Sequence, residues 1–111
     1  MSGTLTTQVT DGVRGVPAAG IRVELWQIAG EMSIPIATAT TNETGRTDEP
    51  IVAPGKLRTG NYELRFAVRD YFRGEGMWDI IPLRFDIRDA NASYHLTLDV
   101  SPAEYRTVFA I

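Results

Sequence analysis

Short runs of alternating apolar and polar residues recur along the chain at intervals of roughly 8 to 14 residues, with turn-forming residues between them. Alternation with a period of two is typical of strands that bury one face, and the regular spacing is typical of an all-β sandwich. The runs predict strands over residues 4–10, 21–26, 34–40, 62–68, 80–87, 94–100 and 105–111. Residues 50–60 are predicted to form a loop with at most a short strand near Ile51, so the pattern predicts about seven to eight strands. Pro35 favours an edge position or a strand start for the third run.

Residues 70–76 do not alternate in this way. Because Asp70 is a suitable N-cap, we expect a helix of one or two turns in this segment. Gly74 and Gly76 would keep that helix short. No internal repeat, linker or low-complexity tract interrupts the chain. We therefore expect one β-sandwich domain over residues 1–111.

The composition of the chain argues against several classes of function. A net charge of -3, from 14 acidic and 11 basic residues, offers neither a basic surface for nucleic acid nor a signal for anionic membranes. The absence of cysteine excludes disulfides, thiol nucleophiles and thiolate metal sites. A single histidine and scattered carboxylates argue against any metal site, and no cofactor is expected. No apolar run is long enough to span a bilayer or to act as a leader, so the expected location is the cytoplasm.

Four stretches have an order and spacing that are hard to obtain by chance. They are residues 13–26 (VRGVPAAGIRVELW), residues 41–46 (TNETGR), residues 60–66 (GNYELRF) and residues 94–98 (YHLTL), the last followed by Ser101-Pro102. In these stretches the chain resembles the transthyretin/5-hydroxyisourate hydrolase family. The resemblance implies a transthyretin-like β-sandwich with its single short helix at residues 70–76. It also implies a homotetramer, a dimer of dimers that encloses a channel containing the sites.

His95 is the only histidine of the chain. Alternation places its side chain on the polar face of a strand together with Thr97 and Asp99. A lone histidine at such a position is usually structural or solvent-exposed, whereas the resemblance matches His95 to a catalytic histidine of the hydrolases. Imidazole suits that role because it titrates near neutral pH and can move a proton to or from water. Asp99 and Glu104 could orient the ring, although Asp99 is equally compatible with an exposed position.

Arg46 directly follows the turn formed by residues 42–45. A turn arginine is most often simply solvated. The resemblance instead implies a substrate clamp, whose planar guanidinium pairs with a ureide carbonyl or a developing oxyanion. Transthyretin, the hormone carrier of the family, lacks both the histidine and this arginine, while the chain has His95 and Arg46.

The chain departs from the hydrolases at two places. Gln8 occupies the position of their first-strand histidine, and its amide cannot take up a proton, although it can hydrogen-bond a substrate. The apolar tail Val108, Phe109, Ala110 and Ile111 occupies the position of their C-terminal Tyr-Arg-Gly-Ser. The resemblance implies that Gln8 and all four tail residues face the channel as substrate-binding residues. An apolar pocket of this kind accepts less polar ligands than one built for hydrogen bonds.

Two functions remain open. The first is a divergent 5-hydroxyisourate hydrolase-like enzyme of purine-type catabolism, which opens a cyclic ureide or amide with His95 as general base or acid, Arg46 polarising the carbonyl and Gln8 positioning the substrate. The second is a non-catalytic, transthyretin-like protein that binds a small molecule in the channel between subunits. His95 and Arg46 favour the enzyme, and Gln8 and the apolar tail favour the binding protein.

Overall fold

The computed structural model describes residues 3–111, which form eight strands. The first two residues of the domain predicted over residues 1–111 lie outside this range. In chain order the strands are β1 (Leu5–Asp11), β2 (Val16–Pro17), β3 (Arg22–Ala29), β4 (Met32–Thr40), β5 (Gly60–Ala67), β6 (Ile80–Ile87), β7 (Tyr94–Val100) and β8 (Tyr105–Ala110). The prediction of an all-β sandwich is confirmed. Val52, next to Ile51, forms only an isolated bridge with Leu5.

The strands form two four-stranded sheets that pack against each other. The first sheet has the order β2-β1-β7-β8, and the second has the order β4-β3-β5-β6. All neighbouring strands are antiparallel except β1 and β7, which are parallel. Pro35 lies in the edge strand β4, beside an irregularity in the pairing of β3 with β4, as its missing N–H requires.

The core lies between the two sheets because each strand directs its apolar positions to one side. In β1 and β7 every second residue is buried. The largest fully buried side chains are Phe66, Leu5, Ile21, Leu25, Leu64, Ile81, Ile87, Leu98, Val9, Val23, Val68 and Val100. The outer face of the first sheet therefore carries the intervening polar residues, which include His95.

On the outer face of the second sheet, Glu63 is only 8% exposed and is paired with two arginines. Its carboxylate accepts from Arg65 Nε at 2.6 Å and from Arg84 Nη2 at 3.0 Å. Burial raises the pKa of Glu63, but the hydrogen bonds and charges of these arginines outweigh burial and hold the pKa below its usual 4.5. The Arg65 guanidinium also lies 4.3 Å from the centre of the Trp26 ring and makes a cation–π contact with it on this face.

The prediction of a short helix at residues 70–76 was wrong, since this segment forms a series of turns without a helix. Phe72 N–H donates to Val68 O as in a helix, but Gly74 N–H already reaches back five residues to Arg69 O. Arg73 and Gly74 have φ values of 56° and 75°. Two consecutive residues in the left-handed region reverse the chain and end any right-handed helix.

Among residues 3–111, we found no helix of the length and apolar character that a membrane crossing requires.

Candidate active site

His95 lies on the outer face of the first sheet, as alternation predicted. Its neighbours along β7, Tyr94 and Leu96, point into the core, while the imidazole is half-buried on the opposite side. The parallel pairing of β1 with β7 places Thr6 directly beside His95. Thr6 Oγ1 is 2.7 Å from His95 Nδ1, so the ring is held by a short hydrogen bond from the adjacent strand.

Gln8 lies on the same face, two residues along β1 from Thr6, and pairs in register with Thr97. Its side chain binds the turn that precedes Arg46. Gln8 Nε2 donates to Thr44 O at 3.1 Å, and Gln8 Oε1 accepts from Arg46 Nη2 at 3.5 Å. One amide N–H of Gln8 and its amide oxygen are therefore directed at this loop.

The backbone fixes the turn that carries Arg46 against β1. Val9 N–H donates to Gly45 O at 2.9 Å, and Gln8 and Arg46 form a bridge. Gly45 has a φ of 76°, and a Cβ at this position would overlap the carbonyl oxygen of Val9. Only glycine combines this left-handed conformation with such a close approach. The result is that the exposed Arg46 projects onto the face that carries His95.

The electrostatic environment keeps the imidazole neutral. Burial lowers the pKa of His95 below its usual 6.5, and the positive charge of Arg46 lowers it further. Of the two carboxylates that could have oriented the ring, Asp99 instead accepts from Thr10 Oγ1 at 3.1 Å, and Glu104 is an exposed residue that precedes β8. Thr6, which sequence reasoning missed, is the residue that contacts the ring.

The tail is divided between two faces. Antiparallel pairing sets Ala110 opposite His95 and Val108 opposite Thr97, so these two residues share the face of the candidate site. The expectation that the whole tail lines one surface was wrong for Phe109. Its ring points to the other side of the sheet, stacked at 5.4 Å on Tyr94 and tilted at 4.9 Å against Phe85.

Ile111 follows β8 and is 86% exposed, and Val108 is 64% exposed. In the described part of the chain, no group of three or more His, Cys, Asp or Glu side chains could hold a metal ion. The face thus offers a neutral imidazole, a guanidinium and an amide beside two small apolar side chains. Such a set can bind a carbonyl oxygen and exchange a proton with water.

Two packed sheets with one parallel strand pair define the class of the protein as a small β-sandwich, with a histidine and an arginine on the outer face of the first sheet. A family model described as "HIUase/Transthyretin family" matches residues 5–108, and the chain belongs to this family.

Relatives and solved structures agree with this assignment. The chain is similar to a 5-hydroxyisourate hydrolase of Deinococcus radiodurans, with 43% identity over 109 residues that cover 93% of this chain and 92% of the relative. It is also similar to a 5-hydroxyisourate hydrolase of Halalkalibacterium halodurans, with 44% identity over 116 residues that cover 96% and 97%. The crystal structure of the Klebsiella pneumoniae 5-hydroxyisourate hydrolase superposes with a TM-score of 0.83 at 26% identity, covering 98% of this chain and 100% of that one.

Proposed function

We propose that this protein hydrolyses 5-hydroxyisourate or a related cyclic ureide, as a step of purine-type catabolism. The observation that carries the proposal is the placement of Arg46 and His95 on one face by the bridge between the turn and β1. The relatives named 5-hydroxyisourate hydrolase support the choice of substrate class.

The chemistry follows from the two side chains. Neutral His95 accepts a proton from water at Nε2 while the water oxygen bonds to the ring carbonyl carbon. The carbonyl oxygen becomes an oxyanion, which the Arg46 guanidinium stabilises. The ring C–N bond then breaks, and the proton held on Nε2 passes to the leaving nitrogen. Water is thereby added across the bond, and His95 returns to its neutral form.

Gln8 serves this reaction by holding Arg46. Its amide contacts Thr44 O and the Arg46 guanidinium, which fixes the direction of that guanidinium, and its second N–H is left to position the substrate. Val108 and Ala110 make the adjoining surface apolar, which favours a substrate with fewer polar substituents than 5-hydroxyisourate, such as an N-alkylated relative.

The active assembly in this proposal is a homotetramer built as a dimer of dimers. All six residues of β8 are exposed, and the strand forms the free edge of its sheet. β6 forms the edge of the second sheet, and the contact between Phe85 and Phe109 places both edges on the same side of the sandwich. A second copy pairing at these edges would cover them. Two such dimers meeting at the His95 faces would enclose the channel.

The experiment is the decay of freshly generated 5-hydroxyisourate, followed by ultraviolet absorbance against its spontaneous breakdown. We expect the protein to accelerate the decay. His95→Ala should lower kcat/KM by about 10²- to 10⁴-fold, the usual contribution of a general base. Arg46→Ala should lower it by about 10²- to 10³-fold. Arg88→Ala, which removes an arginine whose side chain is 87% exposed beside the second sheet, is the matched control and should leave the rate unchanged.

Acceleration that survives His95→Ala would overturn the proposed role of the histidine. No acceleration by the unmodified protein, on 5-hydroxyisourate or on N-alkylated analogues, would overturn the proposed enzyme.

A second candidate is a non-catalytic protein that binds a small apolar molecule in the same channel. Gln8, which cannot take up a proton, and the exposed apolar Val108 and Ile111 favour it. It predicts saturable binding of an environment-sensitive apolar dye without consumption of 5-hydroxyisourate, and loss of binding in Val108→Arg. Val108 is the suitable position because Phe109 faces the other side of the sheet. Dye binding that is unchanged in Val108→Arg would place the ligand elsewhere.

A further inference from the structure

The Thr6 hydroxyl contacts two groups at once. Thr6 Oγ1 is 2.7 Å from His95 Nδ1 and 3.4 Å from the backbone carbonyl oxygen of Tyr94. A hydroxyl has one proton to donate and lone pairs with which to accept. The carbonyl oxygen can only accept, so both contacts are hydrogen bonds only when the hydroxyl donates to Tyr94 O and accepts from an N–H at Nδ1.

We propose that Thr6 is the positioning residue of the site, selecting the tautomer of His95 in which Nδ1 carries the proton and Nε2 is bare. This inference rests on the proposed function, because a bare Nε2 is what a general base on this face needs. Thr6 thereby takes the place of the carboxylate or backbone carbonyl that usually accepts the second ring N–H of a functional histidine.

The same arrangement persists when the ring takes up a proton. Imidazolium donates from both nitrogens, so its Nδ1–H keeps the bond to Thr6 without any rotation of the hydroxyl. If the Thr6 hydroxyl instead donated to Nδ1, protonation of that nitrogen would remove the acceptor of the hydroxyl proton. Thr6 therefore favours the charged ring slightly, against the burial and the Arg46 charge that lower the pKa of His95.

The other ionisable groups that β7 and β8 place on this face lie at the far end of the strands. Asp99 on β7 and Arg106, its partner on β8, are four residues along from His95, roughly 13 Å at the rise of a strand. The nearby positions of β1 are the uncharged Thr6, Gln8 and Thr10. Arg46 is the charged residue that lowers the pKa of the His95 ring.

The test uses nitrogen NMR on the whole protein. Because the chain has one histidine, its two ring nitrogens are identified without competing signals. We expect the unmodified protein, at a pH above the His95 pKa, to show the proton on Nδ1. Thr6→Val keeps the branched shape but removes the hydroxyl, so the population should move toward the Nε2–H form and the pKa of His95 should fall. Thr6→Ser keeps the hydroxyl and should resemble the unmodified protein.

Kinetics supply the second readout. Thr6→Val should lower kcat on 5-hydroxyisourate about 10- to 100-fold with a smaller change in KM, and Thr6→Ser should restore most of the loss. A neutral ring protonated mainly on Nε2 in the unmodified protein, or a tautomer ratio that Thr6→Val leaves unchanged, would overturn the inference. The NMR result does not depend on turnover. A protein without hydrolase activity that still shows the Thr6-dependent tautomer would therefore refute the proposed function alone.

Discussion

Asp11, the last residue of β1, is predicted to be one of the strongest polar determinants of stability. It is 2% exposed. Its Oδ1 accepts from the N–H groups of Val13 at 2.9 Å and Arg14 at 3.0 Å, and its Oδ2 accepts from the Tyr71 hydroxyl at 2.8 Å. One carboxylate thus ties the turn after β1 to the segment around Tyr71.

The magnitude follows from these three bonds. A hydrogen bond to a charged group contributes about 1.5–3 kcal/mol. A simple sum over the three bonds would therefore exceed about 4 kcal/mol even at the low end of that range. The N–H groups of Val13 and Arg14 lie in exposed residues and can bind water once the carboxylate is gone, which reduces the loss. We expect Asp11→Ala to lower the free energy of unfolding by about 3 kcal/mol. Tyr71→Phe, which removes a single bond to the carboxylate, should cost about 1.5 kcal/mol.

The assay is urea unfolding of each variant at one protein concentration, since subunit association contributes to the apparent stability. The double variant should be destabilised by less than the sum of the two single variants, because both remove the same Asp11–Tyr71 bond. A loss below about 1 kcal/mol in Asp11→Ala would refute the reasoning, as would strict additivity in the double variant.

Three further predictions concern pH and the site. Although burial raises the pKa values of Asp11 and Glu63, their hydrogen bonds hold both below the usual 3.8 and 4.5. The unfolded chain therefore binds more protons in acid, and the urea midpoint should fall as the pH drops below about 5 through the folded-state values of these carboxyls. A smaller decline should begin near pH 6.5, because folding also lowers the pKa of His95; a midpoint that rises as the pH falls would contradict the sign. Gly45→Ala should destabilise the protein by about 2 kcal/mol or more from its left-handed φ and its overlap with β1, and it should lower activity by displacing Arg46, whereas unfolding and turnover like those of the unmodified protein would refute this. Arg46→Gln should raise the pKa of His95, measured by NMR titration of the single histidine, and an unchanged pKa would show that the guanidinium charge does not reach the ring.

The strands could be predicted from the sequence because their apolar positions alternate, and the all-β class follows from that pattern. The parallel pairing of β1 with β7 could not, since it joins segments almost ninety residues apart and leaves no local signal. The helix prediction failed because an N-cap residue says little about a segment in which Arg73 and Gly74 adopt left-handed conformations.

The site was predicted in part. Alternation placed His95 on the outer face, while the resemblance indicated Arg46 as its companion. The same alternation, applied to β8, puts Val108 and Ala110 on one face and Phe109 on the other, so the error for Phe109 was avoidable. Thr6 was missed because its meaning depends on the register between β1 and β7. No local property distinguishes it from the other threonines of the chain.

The role of neutral His95 as the base of a hydrolytic site is tested most directly by two titrations of the unmodified protein. One is the pH dependence of kcat/KM for consumption of 5-hydroxyisourate, which reports groups of the free enzyme. The other is the NMR titration of the single histidine. If neutral His95 is the base, kcat/KM rises with pH through one midpoint below 6.5, and this midpoint coincides with the His95 pKa. A rate that is flat across that pKa, or one that falls as His95 loses its proton, would show that neutral His95 is not the base.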